Sequence, residues 1–173
     1  MLAGMFATRG QNGIWTLATQ WAHDESYANW AGFTLRVVIP ASALIAGSRV
    51  RVTLSAESQM DIPAVYVGHA AASGDVYDFE STPTRLLFGG NTTASVPANG
   101  DLVSDGVSFS VNPAKNLIVS AYASSGRSRK ITTLPGWTTR YTTGNDAATV
   151  NPTGYLTSAY AANLVRKVEV FVP

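Results

Sequence analysis

The residues best suited to recognition chemistry lie in one aromatic and polar stretch near the N-terminus. It runs from Trp21 to Trp30 and also contains His23, Asp24 and Tyr27. Tryptophan and tyrosine combine a flat apolar face with a polar tip, so an exposed row of them can stack on sugar rings. We therefore predict Trp21, Tyr27 and Trp30 as contacts for a glycan or a partner protein. The alternative is that such aromatic residues fill a core or a subunit interface, which is our expectation for Trp15 and Trp137.

Catalytic chemistry has little support in the sequence. The chain has two histidines, His23 and His69, and no cysteine. A serine hydrolase needs a nucleophile with its base in reach, but neither a Gly-x-Ser-x-Gly elbow nor a Gly-Asp-Ser block is present. Glycoside hydrolysis needs two facing carboxylates, and the spacing of the 11 acidic residues selects no pair. We expect a protein that is not an enzyme, in which His69 is a half-buried strand histidine bonded to a neighbour.

Metal binding is equally weakly indicated. Zinc sites draw at least three ligands from His, Cys and carboxylate, so we do not expect a structural zinc. Asp75, Asp78 and Glu80 lie close together in one loop, and calcium prefers such oxygen ligands. Their spacing does not follow the EF-hand pattern, however, and acidic loops usually only solvate a turn. We predict no metal and no cofactor, and leave calcium at this loop as an open alternative.

The overall composition limits the partners. A chain of 173 residues fits one domain, and only 13% of its residues are charged, about half the usual 25%. The net charge of +1 argues against nucleic acid, because phosphate binding needs clustered Lys and Arg. The one dense basic run, Arg127, Arg129 and Lys130, lies in a Ser/Gly-rich segment and is predicted to be a solvated turn. A weakly charged surface of this kind suits extracellular or particle-bound proteins.

The N-terminus is apolar but has the features of neither a secretory signal nor a membrane span. It lacks a basic region ahead of a long apolar run, and no stretch of the chain reaches the roughly 18 apolar residues of a membrane helix. Leu2, Met5 and Phe6 will either fray or dock. We predict that residues 1–13 form a segment that docks onto a partner subunit, and we expect no membrane insertion.

Short alternating strands make up the remainder, from 14 to 173. Phe33, Leu35, Val37 and Ile39 alternate with Thr34, Arg36 and Val38, which predicts a strand with one buried face. Val50, Val52 and Leu54 are expected to face inward, with Arg49 and Arg51 outward. Further strands are predicted at 14–19, 65–69, 84–88, 93–96, 102–111, 117–122, 138–143 and 166–172, with one short candidate helix at 158–165. This pattern predicts an all-β fold, an antiparallel β-sandwich of the jelly-roll type.

Four blocks of sequence resemble a known kind of module. They are Arg49-Val-Arg-Val-Thr-Leu, the segment from Val65 to Phe79, Phe88-Gly-Gly, and the segment from Ser95 to Asp105. From Arg49 to about Asp146 the chain resembles the jelly-roll module of phage, prophage and gene-transfer-agent structural proteins. It is more loosely similar to the β-sandwich domain that precedes some SGNH-type esterase domains. The resemblance implies attachment or particle decoration, with no catalytic residues to carry over.

These observations lead to a functional hypothesis with two rivals. The leading expectation is a virion structural protein of a phage or phage-like particle, at the head surface or the tail, that contacts other virion proteins and its own copies. Host cell-surface glycans are a further candidate partner. Such a protein would be made in the host cytoplasm and leave inside the particle. The rivals are a free-standing carbohydrate-binding module and, with less support, a small esterase or glycosidase.

Overall fold

Antiparallel strands account for nearly all the regular structure. The computed structural model describes residues 13–24 and 27–173, and in these ranges the only helical element is a 3-10 turn, Ala41–Ala43. The described strands are β1 Ile14–Gln20, β2 Tyr27–Asn29, β3 Phe33–Ile39, β4 Gly47–Ser55, β5 Met60–Ile62, β6 Ala64–His69, β7 Thr84–Arg85, β8 Ala94–Val96, β9 Asp101–Val103, β10 Val107–Val111, β11 Leu117–Ala123, β12 Arg127–Ile131, β13 Thr138–Thr143, β14 Leu156–Thr157, β15 Ala162–Asn163 and β16 Val165–Val172. The prediction of an all-β fold is confirmed.

Two large sheets form the two layers of the sandwich. The first has the order β1-β16-β4-β10, with β9 also pairing with β4, and the second has the order β14-β13-β3-β11-β6-β7. All of these pairings are antiparallel. Two small sheets, β15-β12-β2 and β5-β8, lie beside them. Within the candidate recognition stretch, Tyr27–Asn29 form β2 of the first of these small sheets.

The core lies between the inner faces of the two large sheets. In the first sheet Val50 pairs with Val170, and both side chains are fully buried. In the second sheet a row of valines, Val37, Val119 and Val67, runs across three neighbouring strands. These residues belong to one continuous buried cluster. The predicted inward orientation of Val50, Val52 and Leu54 is confirmed, as expected for period-2 alternation over one buried face.

The chain passes repeatedly from one sheet to the other. It runs from β1 in the first sheet to β3 in the second, returns to β4, and then crosses to β6. As a result each sheet interleaves early and late strands, so that β1 pairs with β16 at opposite ends of the chain. Neighbouring strands of each sheet therefore often come from distant parts of the chain. The finer assignment as a jelly roll remains a prediction.

Strand β3 differs from its prediction, because both of its faces are buried. Arg36 lies on the face expected to be exposed, yet it is fully buried. Its guanidinium Nη1 donates to the carbonyl of Tyr77 at 2.6 Å, and Nη2 donates to that of Thr149. The cation also lies 4.4 Å from the centre of the Phe79 ring. Burial lowers the pKa of Arg36 from its ordinary value.

Two long loops cover this outer face of the second sheet. The loop of residues 70–83 carries Tyr77, and the loop of residues 144–155 carries Tyr155; the two rings stack with centroids 4.9 Å apart. They form a second buried cluster with Phe79 and residues of the sheet beneath. The alternation of residue types along β3 cannot predict that loops bury its outer face, since these loops come from distant parts of the chain. Arg36 links the two loops to the sheet.

Three local predictions were wrong. The Arg127–Lys130 run is strand β12, which pairs with β2 and β15, because those segments supply the hydrogen-bonding partners that a solvated turn would lack. The predicted helix at 158–165 contains β15 and the first residue of β16 instead. The predicted strand at 102–111 is interrupted at residues 104–106, which separates β9 from β10. In each case long-range pairing decided the local structure.

The predicted docking residues Leu2, Met5 and Phe6 lie outside the described residues. Of the segment proposed for docking, residues 1–13, only Gly13 is described. In the part of the chain that the structure covers, no helix has the length and hydrophobicity needed to cross a membrane.

Candidate functional site

Trp21 anchors the recognition stretch to the core. Its side chain is only 5% exposed and belongs to the buried cluster between the sheets. The indole Nε1 donates a hydrogen bond of 2.6 Å to the carbonyl of Val165 at the start of β16. The backbone N–H of Trp21 also donates to the carbonyl of Arg166. A tryptophan held in this way has no free face to offer a sugar ring.

Trp30 anchors the other end of the stretch. It is 7% exposed; its ring packs edge-on against Phe33 with centroids 6.0 Å apart, and is tilted against Tyr141 with centroids 5.3 Å apart. The expected stacking platform of Trp21, Tyr27 and Trp30 is therefore not assembled, since two of its three rings are buried. The physical reason is that the apolar area of each indole is worth more in the core than in water, even though the neighbouring sequence is polar.

Tyr27 is the one predicted aromatic contact that reaches the surface. It lies in β2 and is 48% exposed. Across the small sheet, the guanidinium of Arg127 lies 4.4 Å from the centre of its ring. Arg127 Nε is also 3.0 Å from Glu57 Oε2, which fixes the arginine in place. The ring is thus covered by the guanidinium on one side and open to solvent on part of its area.

Arg129 extends this surface on the same face of β12. Its Nη1 donates to Nε2 of His23, its Nε donates to the carbonyl of Ala56 at 3.2 Å, and its Nη2 donates to Asn99 Oδ1 at 3.4 Å. His23 Nδ1 lies 3.2 Å from the carbonyl of Asp24. Both ring nitrogens of His23 therefore face a hydrogen-bonding partner.

We call this surface the Tyr27 patch. It consists of Tyr27, Arg127, Arg129, His23, Glu57 and Asn99. Its chemistry is that of a binding surface: an aromatic face, two guanidinium groups that are always charged, and an amide. The partners of the patch residues, as far as the structure describes them, include no hydroxyl nucleophile hydrogen-bonded to a base. Such a surface is suited to hydroxyl-rich or carboxylate-bearing ligands, because arginine and asparagine can donate to both.

His69 does not form a catalytic pair. Its ring is half-buried and tilted against Phe109 with centroids 5.0 Å apart. Its nitrogens contact backbone groups: Nδ1 the carbonyl of Asn116 at 3.4 Å, and Nε2 the amide of Asn112 at 3.1 Å. The expectation of a half-buried strand histidine bonded to its neighbours is confirmed.

The acidic loop suggested for calcium does not gather its carboxylates. Asp78 Oδ2 accepts from the backbone N–H of Asp75 at 2.9 Å, and Asp75 Oδ2 accepts from the hydroxyl of Tyr77 at 2.9 Å. Glu80 is paired with Lys115, whose hydrogen bond lowers the pKa of Glu80. Across the described ranges no group of three or more His, Cys, Asp or Glu side chains is placed to hold a metal ion.

A second candidate surface is a polar groove that sequence reasoning missed. It has a volume of about 550 Å³ and lies along the turn that follows β7. The lining residues are Phe88, Gly89, Asn91, Thr92, Thr93, Ser95 and Leu102. The carboxylate of Asp105 accepts from the N–H groups of Gly89 and Gly90, at 3.1 and 2.8 Å, and so holds the turn. The uncharged run from Gly89 to Thr93 is the one sequence signal that could have indicated it.

Comparison with known proteins adds no assignment. No family model matches the sequence, and no curated protein shows significant similarity to it. The function therefore has to be argued from the chain itself.

Proposed function

We propose that this chain is a structural subunit of a phage or phage-like particle, located at the head surface or the tail. The observation that carries the proposal is the double-sheet architecture with its interleaved strand order, in which the chain alternates between sheets as expected of a jelly roll. The low charged fraction of 13% supports it, since weakly charged surfaces suit packing against neighbouring subunits. A fold alone does not define a function, so the proposal requires a direct test.

The test is to locate the protein in particles. Antibodies raised against the purified chain would be applied to particles from a lysate of the bacterium that encodes it, and labelling would be examined by electron microscopy. We expect labels at fixed positions on heads or tails, with the chain also present in the purified particles by mass spectrometry. A chain found only in the soluble fraction would refute the proposal.

A second candidate function, carbohydrate binding, is favoured by the Tyr27 patch. Here the partly exposed ring lies beside guanidinium and amide donors that can bind sugar hydroxyls, the combination of flat face and polar groups used in glycan recognition. This function is compatible with a particle subunit that contacts host surface glycans, and equally with a free-standing module. The patch replaces the platform of three aromatic residues that the sequence suggested.

A glycan array with matched variants tests this candidate. Tyr27→Ala should lower glycan binding by at least tenfold without loss of folding, because Tyr27 is outside the core cluster. The control is Tyr66→Ala, since Tyr66 also lies under an arginine, Arg85, at 5.6 Å but has no part in the patch. Equal effects of the two substitutions, or no bound glycan at all, would contradict the hypothesis that this patch binds carbohydrate.

We propose no catalytic role. The esterase and glycosidase alternative has no support from His69, whose ring nitrogens contact backbone groups. Turnover of an ester or glycoside substrate by the purified chain would reverse this conclusion.

A further inference from the structure

The polar groove along the turn after β7 has the size and lining of a ligand site. Its volume of about 550 Å³ falls within the usual range for small-molecule sites, roughly 300–1,000 Å³. Phe88 and Leu102 contribute apolar surface, and hydroxyl and amide side chains supply the polar part of the lining. Among the described residues that line the groove, none carries a charge. This combination suits a neutral ligand that has both an apolar face and hydroxyl groups.

The turn at residues 88–91 gives one wall of the groove a defined shape. Phe88 and Asn91 exchange two backbone hydrogen bonds, with N···O distances of 2.8 and 3.1 Å. Gly89 and Gly90 between them have φ of +58° and +80°, as a two-residue type I′ turn requires. Asp105 also accepts from the N–H of each glycine. Because the turn is already formed without a ligand, binding does not have to order it.

Two polar side chains of the lining are oriented as hydrogen-bond acceptors. Ser95 Oγ donates its one proton to Asp61 Oδ1 at 2.8 Å, so the lone pairs of this hydroxyl remain for a ligand. Asn91 Nδ2 donates to a backbone carbonyl of the turn at 3.4 Å, which leaves Asn91 Oδ1 as an acceptor. Thr92 and Thr93 are exposed in the same lining, and their hydroxyls can donate or accept. A ligand that carries several hydroxyl groups matches these partners.

The charges next to the groove favour a neutral ligand over an acidic one. The carboxylates of Asp61 and Asp105 accept hydrogen bonds from two residues of the lining, Ser95 and Gly89. A carboxylate or sulfate on a ligand would approach these like charges, and the described lining has no cation to offset the repulsion. The Tyr27 patch differs, because its two arginines can bind an acidic group. The two surfaces therefore suit different chemical groups.

The groove and the Tyr27 patch are neighbours on the surface. Asn99 of the patch accepts from Arg129 at 3.4 Å, whereas Leu102 lies in β9 and lines the groove. These two residues are three positions apart, a separation that spans at most about 10 Å of chain. An oligosaccharide bound in the groove can therefore extend to the patch.

We propose that the polar groove binds one neutral hexose unit of a glycan. The apolar face of the sugar ring packs against Phe88 and Leu102, and the sugar hydroxyls donate to Ser95 Oγ and Asn91 Oδ1. The inference deepens the second candidate function, carbohydrate binding, and rests on it for the class of ligand. It adds a site and names the kind of sugar that the site takes. Binding in the groove does not require Tyr27, so the two sites can be tested separately.

A glycan array with groove variants tests the proposal. The probes are neutral oligosaccharides of glucose, galactose and mannose, with uronic acid counterparts of the same linkages, applied to the full-length chain. Ser95→Ala and Thr93→Val each remove one hydroxyl at an exposed position. Each should weaken binding of a neutral probe about three- to tenfold, the usual effect of one lost hydrogen bond. The matched control is Ser108→Ala, since Ser108 is an exposed serine of strand β10 outside the groove lining. Urea midpoints check that the variants keep the fold.

The outcomes separate this site from the Tyr27 patch. Weaker binding in both groove variants but not in Ser108→Ala would support the proposal, and would do so even if Tyr27→Ala had no effect. Weaker binding in Tyr27→Ala, with wild-type binding in both groove variants, would overturn it and leave the patch as the carbohydrate site. Binding of the acidic probes alone, or of no probe, would also overturn it. Particle labelling remains the separate test of the proposed particle subunit.

Discussion

The buried Arg36 gives the clearest quantitative prediction for this fold. Replacing it with methionine keeps the long unbranched side chain but removes the guanidinium. In the structure Nη1 donates to the carbonyl of Tyr77 at 2.6 Å, and Nη2 donates to the carbonyls of Thr149 and Asp146. Without the guanidinium, these carbonyls lose their donor inside a covered region. The substitution therefore acts on both covering loops at once.

The expected loss of stability in Arg36→Met follows from two opposing contributions. Hydrogen bonds from a charged donor contribute about 1.5–3 kcal/mol each, and the two shorter bonds give a gross contribution of about 3–6 kcal/mol. Desolvation of the cation opposes this, as the lowered pKa of Arg36 indicates. Removing the guanidinium leaves the carbonyls of Tyr77 and Thr149 buried without their donor, at about 1–3 kcal/mol for each unsatisfied group. We expect Arg36→Met to lower Tm by about 10 °C, at about 2–4 °C per kcal/mol for a chain of this size.

Thermal unfolding gives the change in Tm and urea unfolding gives the change in free energy, both followed by tryptophan fluorescence. The control is Arg85→Met, since Arg85 is exposed and donates to the carbonyl of Pro63 at 2.9 Å; a change of less than about 1 kcal/mol is expected there. Limited proteolysis should in addition cut Arg36→Met first within residues 70–83 or 144–155. If Arg36→Met were as stable as the wild-type chain, the hydrogen bonds would merely balance the desolvation of the cation, and the reasoning would be refuted.

Three further predictions concern single groups. Hydrogen bonding from Arg51 lowers the pKa of Glu169. The contribution of Glu169 to stability is therefore present above the ordinary glutamate pKa and is lost as the pH falls through the folded-state value. In Glu169→Gln the free energy of unfolding should fall less steeply in acid. Burial raises the pKa of Tyr155 to about 12. The free energy of unfolding should therefore decline as the pH rises from the ordinary tyrosine pKa of about 10 towards about 12. This decline should be smaller in Tyr155→Phe. Gly126 has φ +88°, and an added Cβ would lie 2.2 Å from the carbonyl oxygen of Gln59. Gly126→Ala should therefore lower the free energy of unfolding, measured in urea, by more than about 1 kcal/mol. An unchanged urea midpoint would contradict this.

The strand pattern was accessible from the sequence because alternation is a local property. Val50, Val52 and Leu54 repeat with period two, and any sheet that buries one face must turn them inward. The same argument was only half right for β3. Its inner residues were correctly placed, but the burial of Arg36 depends on two loops more than 30 residues away along the chain.

The sequence indicated only part of the Tyr27 patch. The segment 21–30 borders this patch, and Tyr27 is exposed there. Its tryptophans are buried instead, because Trp21 finds a carbonyl acceptor 144 residues away, at Val165. Arg127 and Arg129 were interpreted as part of a turn, and their place beside Tyr27 depends on the pairing of β12 with β2.

The sequence by itself determined the all-β class, the positions of most long strands and the weakly charged surface, since each follows from residue type and short-range periodicity. Only the tertiary structure decided which aromatic residues face solvent and where the two arginines of the patch lie. These properties arise from pairings between segments far apart in the chain, such as β1 with β16. Local propensity carries no information about such pairings, and the burial of a side chain depends on what the rest of the chain places over it.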